Sequence, residues 1–183
     1  MKKLIVVLGI LVLLVVGAWV GYFHTTKSAS PQADVNYVSD GLSIHIFYNS
    51  PFKKGRKIFG GLVPYGKVWR TGANEATVLE TSKNLNINGK TLKAGKYTIW
   101  TIPTEQTWTV IFNSEYGQWG INHIDGEANR NPQYDVLSVE VPVLIQDKEF
   151  EKFTISVEKT GEDQELIFIW DKTLISVPFT VVP

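Results

Sequence analysis

The chain has 183 residues, with 18 basic and 18 acidic side chains, three histidines and no cysteine, and its 44% hydrophobic and 20% charged residues are ordinary globular composition. The lack of Cys excludes a disulfide scaffold, a thiol nucleophile, a Cys-ligated zinc or iron–sulfur site, and lipid attachment through a lipobox Cys. A formal net charge of zero argues against bulk nucleic-acid binding, which needs a basic surplus to displace phosphate counterions.

The first element is apolar. Leu4 to Phe23 form a run of 20 residues without a charge, interrupted only by Gly9, Gly17 and Gly21. As a helix it covers about 30 Å, the thickness of a bilayer's hydrocarbon core. Lys2 and Lys3 precede it, and Trp19, Tyr22 and Phe23 crowd its far end as an aromatic belt would. The run is longer than the usual apolar region of a cleavable signal peptide. The small-residue pattern Ser28-Ala29-Ser30 is followed by Pro31, a poor residue after a cleavage point. These features predict an uncleaved signal anchor over 1–23 and a polar tether over 24–34. The lysine bias puts the N-terminus in the cytoplasm and residues 35–183 outside the cytoplasmic membrane. The alternative is a periplasmic or secreted protein released after cleavage. Gly17 and Gly21 match a GxxxG dimerisation pattern, but the match lies at the end of the run beside the bulky Trp19.

Beyond Val35 the dominant period is two, the pattern of half-buried strands. Phe153 to Val157 alternates, as does Thr107 to Phe112; further strands are expected at 42–49, 76–82, 84–88, 90–92, 96–103, 134–145, 164–171 and 173–182. Asn88-Gly89 is a strong hairpin signal, because a type I′ turn needs positive φ at both positions. No window after the anchor has helical periodicity. Short strands at this spacing predict an all-β domain, an antiparallel sandwich or partly open barrel of about nine strands.

Ser50 to Ala76 breaks the pattern. Five glycines and two prolines make it a long, constrained loop, and Phe52, Phe59, Tyr65 and Trp69 give it apolar surface to pin it down. Between Asp40 and Glu75 stand Lys53, Lys54, Arg56, Lys57, Lys67 and Arg70, with no acid; from Glu105 onward there are 14 acids and 5 bases. Two readings stand. Arg56 and Arg70 form an anion-receptive concavity that grips a carboxylate or phosphate, or the basic loop packs on the acidic strands of its own domain.

The run from Lys54 to Thr77, containing Gly60-Gly61-Leu62-Val63-Pro64-Tyr65-Gly66 and Trp69-Arg70-Thr71-Gly72-Ala73-Asn74-Glu75, resembles the signature of an uncharacterised bacterial family catalogued as domain of unknown function 2911. The likeness continues through Asn88-Gly89-Lys90, Ala94 to Thr98, Trp108 to Asn113, Gln118-Trp119-Gly120 and Trp170-Asp171. It implies an exported bacterial domain, with no established reaction or catalytic residue to carry over. The family tends to have an Arg before the proline at the loop's start, where this chain has Ser50.

No nucleophile elbow, zinc helix, Walker A loop or Rossmann fingerprint occurs, and no cofactor or metal is expected. His45 and His123 with Asp125 or Glu75 are the only combination that would hold a metal, and His45 is expected on the outer face with Ser43 and Phe47. Glu75 is read either as an ion-pair partner of Arg56 or Arg70, holding the loop, or as a general base. Trp69, Trp100, Trp108, Trp119 and Trp170 would suit a sugar-stacking platform, with Trp119 the best placed to be exposed. The expectation is a membrane-anchored binding or scaffold module. Its surface is formed by Arg56, Lys57, Tyr65, Trp69, Arg70, Asn74, Glu75 and Trp119, and its partner is a small anionic or glycan ligand or an envelope protein. The alternative is an envelope hydrolase with Glu75 or Asp125 as acid/base.

Overall fold

The computed structural model describes residues 2–161 and 163–182. Helix α1 spans Lys2–Ala29. Its large apolar side chains from Val7 to Val20 are between 50% and 72% exposed on every side. A helix apolar all round belongs in a protein core or in lipid, and here the large apolar side chains described from Val7 to Val20 are not buried by protein. It has the length and composition of a membrane anchor or a signal peptide. Nothing lies within 4 Å of where side chains would start at Gly17 and Gly21.

The expected tether is divided between two regular elements. Residues 24–29 continue α1, because Thr25 Oγ1 and Ser28 Oγ donate back to the carbonyls of Tyr22 and Thr25 and so stay within the helical ladder. Pro31 then forbids further helix, and β1 begins at once, over Gln32–Ser39. This strand escapes the sequence pattern because its inward residues, Ala33, Val35 and Tyr37, are small or only half-buried.

The remaining strands are β2 (Leu42–Asn49), β3 (Thr77–Thr81), β4 (Leu85–Ile87), β5 (Lys90–Leu92), β6 (Gly95–Pro103), β7 (Thr107–Asn113), β8 (Asp135–Pro142), β9 (Leu144–Thr160) and β10 (Asp163–Val181). They form two antiparallel sheets, ordered β1-β2-β3-β6-β7-β8 and β5-β4-β10-β9. The fold is all-β, a two-sheet sandwich that does not close fully. The Asn88-Gly89 hairpin has φ of 49° and 77°, as a type I′ turn demands. The two strands expected at 164–171 and 173–182 are one, β10. It is bent at Asp171, where φ is 54° and the register with β9 shifts on either side.

In β2 alternation is clean: Leu42, Ile44 and Ile46 are buried, while Ser43, His45 and Phe47 face outward. Strand β6 departs from it. Tyr97 to Thr101 are all buried, because the outward Trp100, with Ile111 and Ala76, is covered by Val68 and Ala128 from the loops. Both faces of the six-stranded sheet are therefore used, and the outer covering is the ground on which the long loop lies.

Candidate functional site

The long loop is held by its aromatics. Ile58, Phe59 and Trp69 are buried, whereas Tyr65 is 38% exposed. Trp69 lies edge-on to Phe59 and Trp108, with centroids 6.1 and 6.0 Å away, and stacks at 6.1 Å on Trp170. Trp69, Trp100, Trp108 and Trp170 are all core side chains, so the expected sugar-stacking platform does not form.

The loop's charges divide. Lys53 Nζ sits 2.8 Å from both Glu149 on β9 and Asp171 on β10, so here the basic loop does pack on the acidic strands. Lys67 faces Glu127 at 3.5 Å in solvent. The guanidinium of Arg56 is turned onto the loop itself: Nε donates to the Lys53 carbonyl at 3.0 Å and Nη2 to that of Phe52 at 2.5 Å. Lys57 is exposed, and its carbonyl accepts the N–H of Leu62 at 3.0 Å to close the turn that Tyr65 packs against.

From Trp69 onward the chain winds into a tight knot. Trp69 Nε1 donates to the Gly72 carbonyl at 2.9 Å, and the Thr77 hydroxyl donates to that of Thr71 at 2.5 Å. Thr71, fully buried, has φ of 54°, Gly72 has 152° and Asn74 has 58°. A β-branched residue in the left-handed region costs about 1–3 kcal/mol and persists only where its surroundings over-determine it. Such strain is characteristic of functional sites. Gly72 has no alternative, since a β-carbon there would lie 2.9 Å from the Asn49 carbonyl oxygen.

Two charged side chains leave the knot toward the end of α1. Arg70 is flanked by two clefts of about 270 and 260 Å³ and lines both. The second cleft also has Lys54 and Arg56 in its wall, closes against Ala29 and Ser30 at the end of α1, and contains no acid. Arg70 Nε is buried without a hydrogen-bond partner, and among the described residues no acid forms an ion pair with the guanidinium. Burial holds its pKa below the ordinary arginine value, with the nearby Tyr22 acting in the other direction. Gly120 presses on the Arg70 stem so closely that any β-carbon there would overlap it.

Glu75 does not form the expected pairing with Arg56 or Arg70. Its two oxygens each lie 2.6 Å from Nζ of Lys27, and Oε2 also accepts from Asn49 Nδ2 at 2.9 Å. Burial works against its ionisation, but the Lys27 ammonium, its own backbone N–H and the Asn49 amide outweigh this and hold the carboxyl below its usual value. Asn74 Nδ2 lies 3.5 Å from the Asn49 Oδ1 and from the Thr26 carbonyl. The half-buried Trp119 pairs through its backbone with Glu75 and holds its ring 6.0 Å from Lys27 Nζ.

The expected surface thus resolves into parts. Arg70, Asn74, Glu75 and Trp119 come together under the end of α1; Arg56 reaches the edge of the same region; Lys57 and Tyr65 line neither cleft, and Trp69 lines both clefts while its ring is buried in the core. Asp125 is exposed, its carboxylate accepting from the Glu127 backbone N–H at 3.0 Å and facing the Asn122 amide. His45 bonds Asp34 at 3.0 Å on the outer face. Among the described residues no three His, Asp or Glu side chains gather as a metal site. Sequence reasoning missed Asn49, Lys27 and the strained Thr71. Asn49 alone left a trace, as a buried amide closing an apolar strand.

The model of a protein family described as being of unknown function, DUF2911, matches residues 30–179. The chain belongs to that family. The match covers both sheets, the long loop and the knot, and begins where α1 has ended. No curated protein and no solved structure matches the chain.

Proposed function

We propose that this DUF2911 protein is a binding module held at the outer face of the cytoplasmic membrane by α1, with its N-terminus in the cytoplasm, and that it takes a small carboxylate or phosphate in the cleft beside Arg70. One observation carries this reading. Arg70 is a partly buried cation with an unpartnered Nε, in a cleft whose other charged wall residues are Lys54 and Arg56. A buried donor without a partner costs about 1–3 kcal/mol, and a bound anion removes that cost with charge-assisted hydrogen bonds. The cleft, at about 260 Å³, suits an anion of a few heavy atoms rather than a polymer. The glycan reading retains only Trp119 of its five tryptophans, since the other four are core side chains. No observation favours the hydrolase reading: the Glu75 carboxyl is held below its usual value, and Asp125 caps an exposed turn.

The test is the thermal stability of the full chain in detergent micelles against inorganic phosphate, acetate and citrate, with sodium chloride at matched ionic strength. One of the three raises Tm of the wild type by about 2–4 °C at about five times its Kd, and Arg70→Ala abolishes the rise. Equal rises in the wild type and in a folded Arg70→Ala variant would sink the proposal.

A further inference from the structure

The anion cleft gives no role to the carboxylate five residues further along the loop. Glu75 is built as a receptor. Asn49, at the end of β2 and fully buried, donates from Nδ2 to one of the carboxylate oxygens, and the Asn49 side-chain Oδ1 in turn accepts from the Asn74 amide. Asn74 is itself fixed, with left-handed backbone and its carbonyl accepting the Gly120 N–H at 2.9 Å. These contacts hold the carboxylate from inside the domain. Trp119 supplies an aromatic face beside the position the cation takes. Among the described residues, Lys27 is the one base paired with this carboxylate.

Occupant and receptor differ in origin. Asn49, Asn74, Glu75 and Trp119 all lie within residues 30–179, the part that makes this chain a member of its family, while Lys27 belongs to α1 and lies outside it. The ammonium nitrogen lies at equal distance from both carboxylate oxygens, the geometry of a compact donor with several N–H groups. The position is also reachable, since the Lys27 side chain is 39% exposed and that of Glu75 31%.

We infer that Asn49, Glu75 and Trp119 form a binding site for a primary alkylammonium group, that Lys27 fills it from within the chain, and that a free primary amine takes the same place when Lys27 is absent from it. A tethered occupant acts at an effective concentration of order millimolar, so it masks the site against dilute amines without sealing it. None of these residues lines the anion cleft, and the ligand has the opposite charge.

The experiment uses the full chain in detergent micelles, as wild type, Lys27→Ala and the double variant Lys27→Ala with Glu75→Gln, with near-UV circular dichroism as the check on folding. The probe is n-butylammonium chloride, compared with tetramethylammonium chloride and sodium chloride at the same concentrations. Butylammonium raises Tm of Lys27→Ala by about 2–4 °C at about five times its Kd, raises that of the wild type by less than half as much, and leaves the double variant unchanged. Tetramethylammonium, which has no N–H to donate, gives no rise. Equal responses of Lys27→Ala and the double variant overturn the inference, as do equal responses of wild type and Lys27→Ala, or of the two ammonium salts. Should Lys27→Ala fail to fold, Lys27→Met keeps the apolar stem and is read by the same criteria. The phosphate response of the wild type is a separate measurement, so either site stands or falls alone.

Discussion

The two ends of the loop from Ser50 to Ala76 bear the same kind of charge and are used in opposite ways. At its start, Lys53 is placed between Glu149 and Asp171, and Arg56 spends its guanidinium on two carbonyls of its own turn. At its end, Arg70 lies half-buried with no acid paired to it among the described residues, on a backbone held in strained conformations by Trp69, Thr77 and Gly120. Cations that a fold needs for cohesion have their donors taken up by its own acceptors. A cation left unpaired at a cost, in a segment whose geometry is over-determined, is where an external ligand has something to contribute.

Four perturbations test that contrast. Truncating Trp69, which joins the end of the loop to the core, has the largest effect: Trp69→Ala costs about 3–5 kcal/mol in urea denaturation. A loss under about 1 kcal/mol would mean the knot is not anchored by the core. Gly72→Ala forces a side chain onto Asn49 at a φ of 152°, and destabilises by about 1–3 kcal/mol in the same measurement. Arg70→Met keeps the stem that Gly120 packs on and removes the unpartnered Nε. Its stability stays within about 1 kcal/mol of the wild type while the anion response disappears. Large destabilisation there would make Arg70 as structural as Lys53 and erase the contrast.

The smallest effect is a pH dependence. Glu75 has its folded pKa below the ordinary value of 4.5, so its contribution is complete above that pH and is lost as pH falls through the lower folded value. Glu75→Gln therefore lowers Tm at pH 7 slightly, and the difference from the wild type shrinks below about pH 4.5. The pair is about a third exposed, which keeps the difference small. A difference that grows on acidification would show that Lys27 is not what stabilises the carboxylate.

The sequence by itself determined much of what near neighbours set. The apolar run specifies α1, alternation specifies β2 with His45 on its outer face, and Asn88-Gly89 specifies a hairpin, because φ/ψ preferences and side-chain period act over a few residues. The loop and its one-sided charge were equally legible. The fate of each charge was not. Lys53 meets Asp171 across 118 residues and Lys27 meets Glu75 across 48, while Asn49 reaches Glu75 across 26. Charge asymmetry in a sequence shows that partners exist, but the order in which strands assemble decides which acid stands opposite which base. Trp69 shows the same limit, since an aromatic in a glycine-rich loop has the same sequence context whether it stacks on a ligand or closes a core. Packing between the two sheets, on Trp108 of β7 and Trp170 of β10, made it a core residue and left Arg70, its neighbour, lining the cleft.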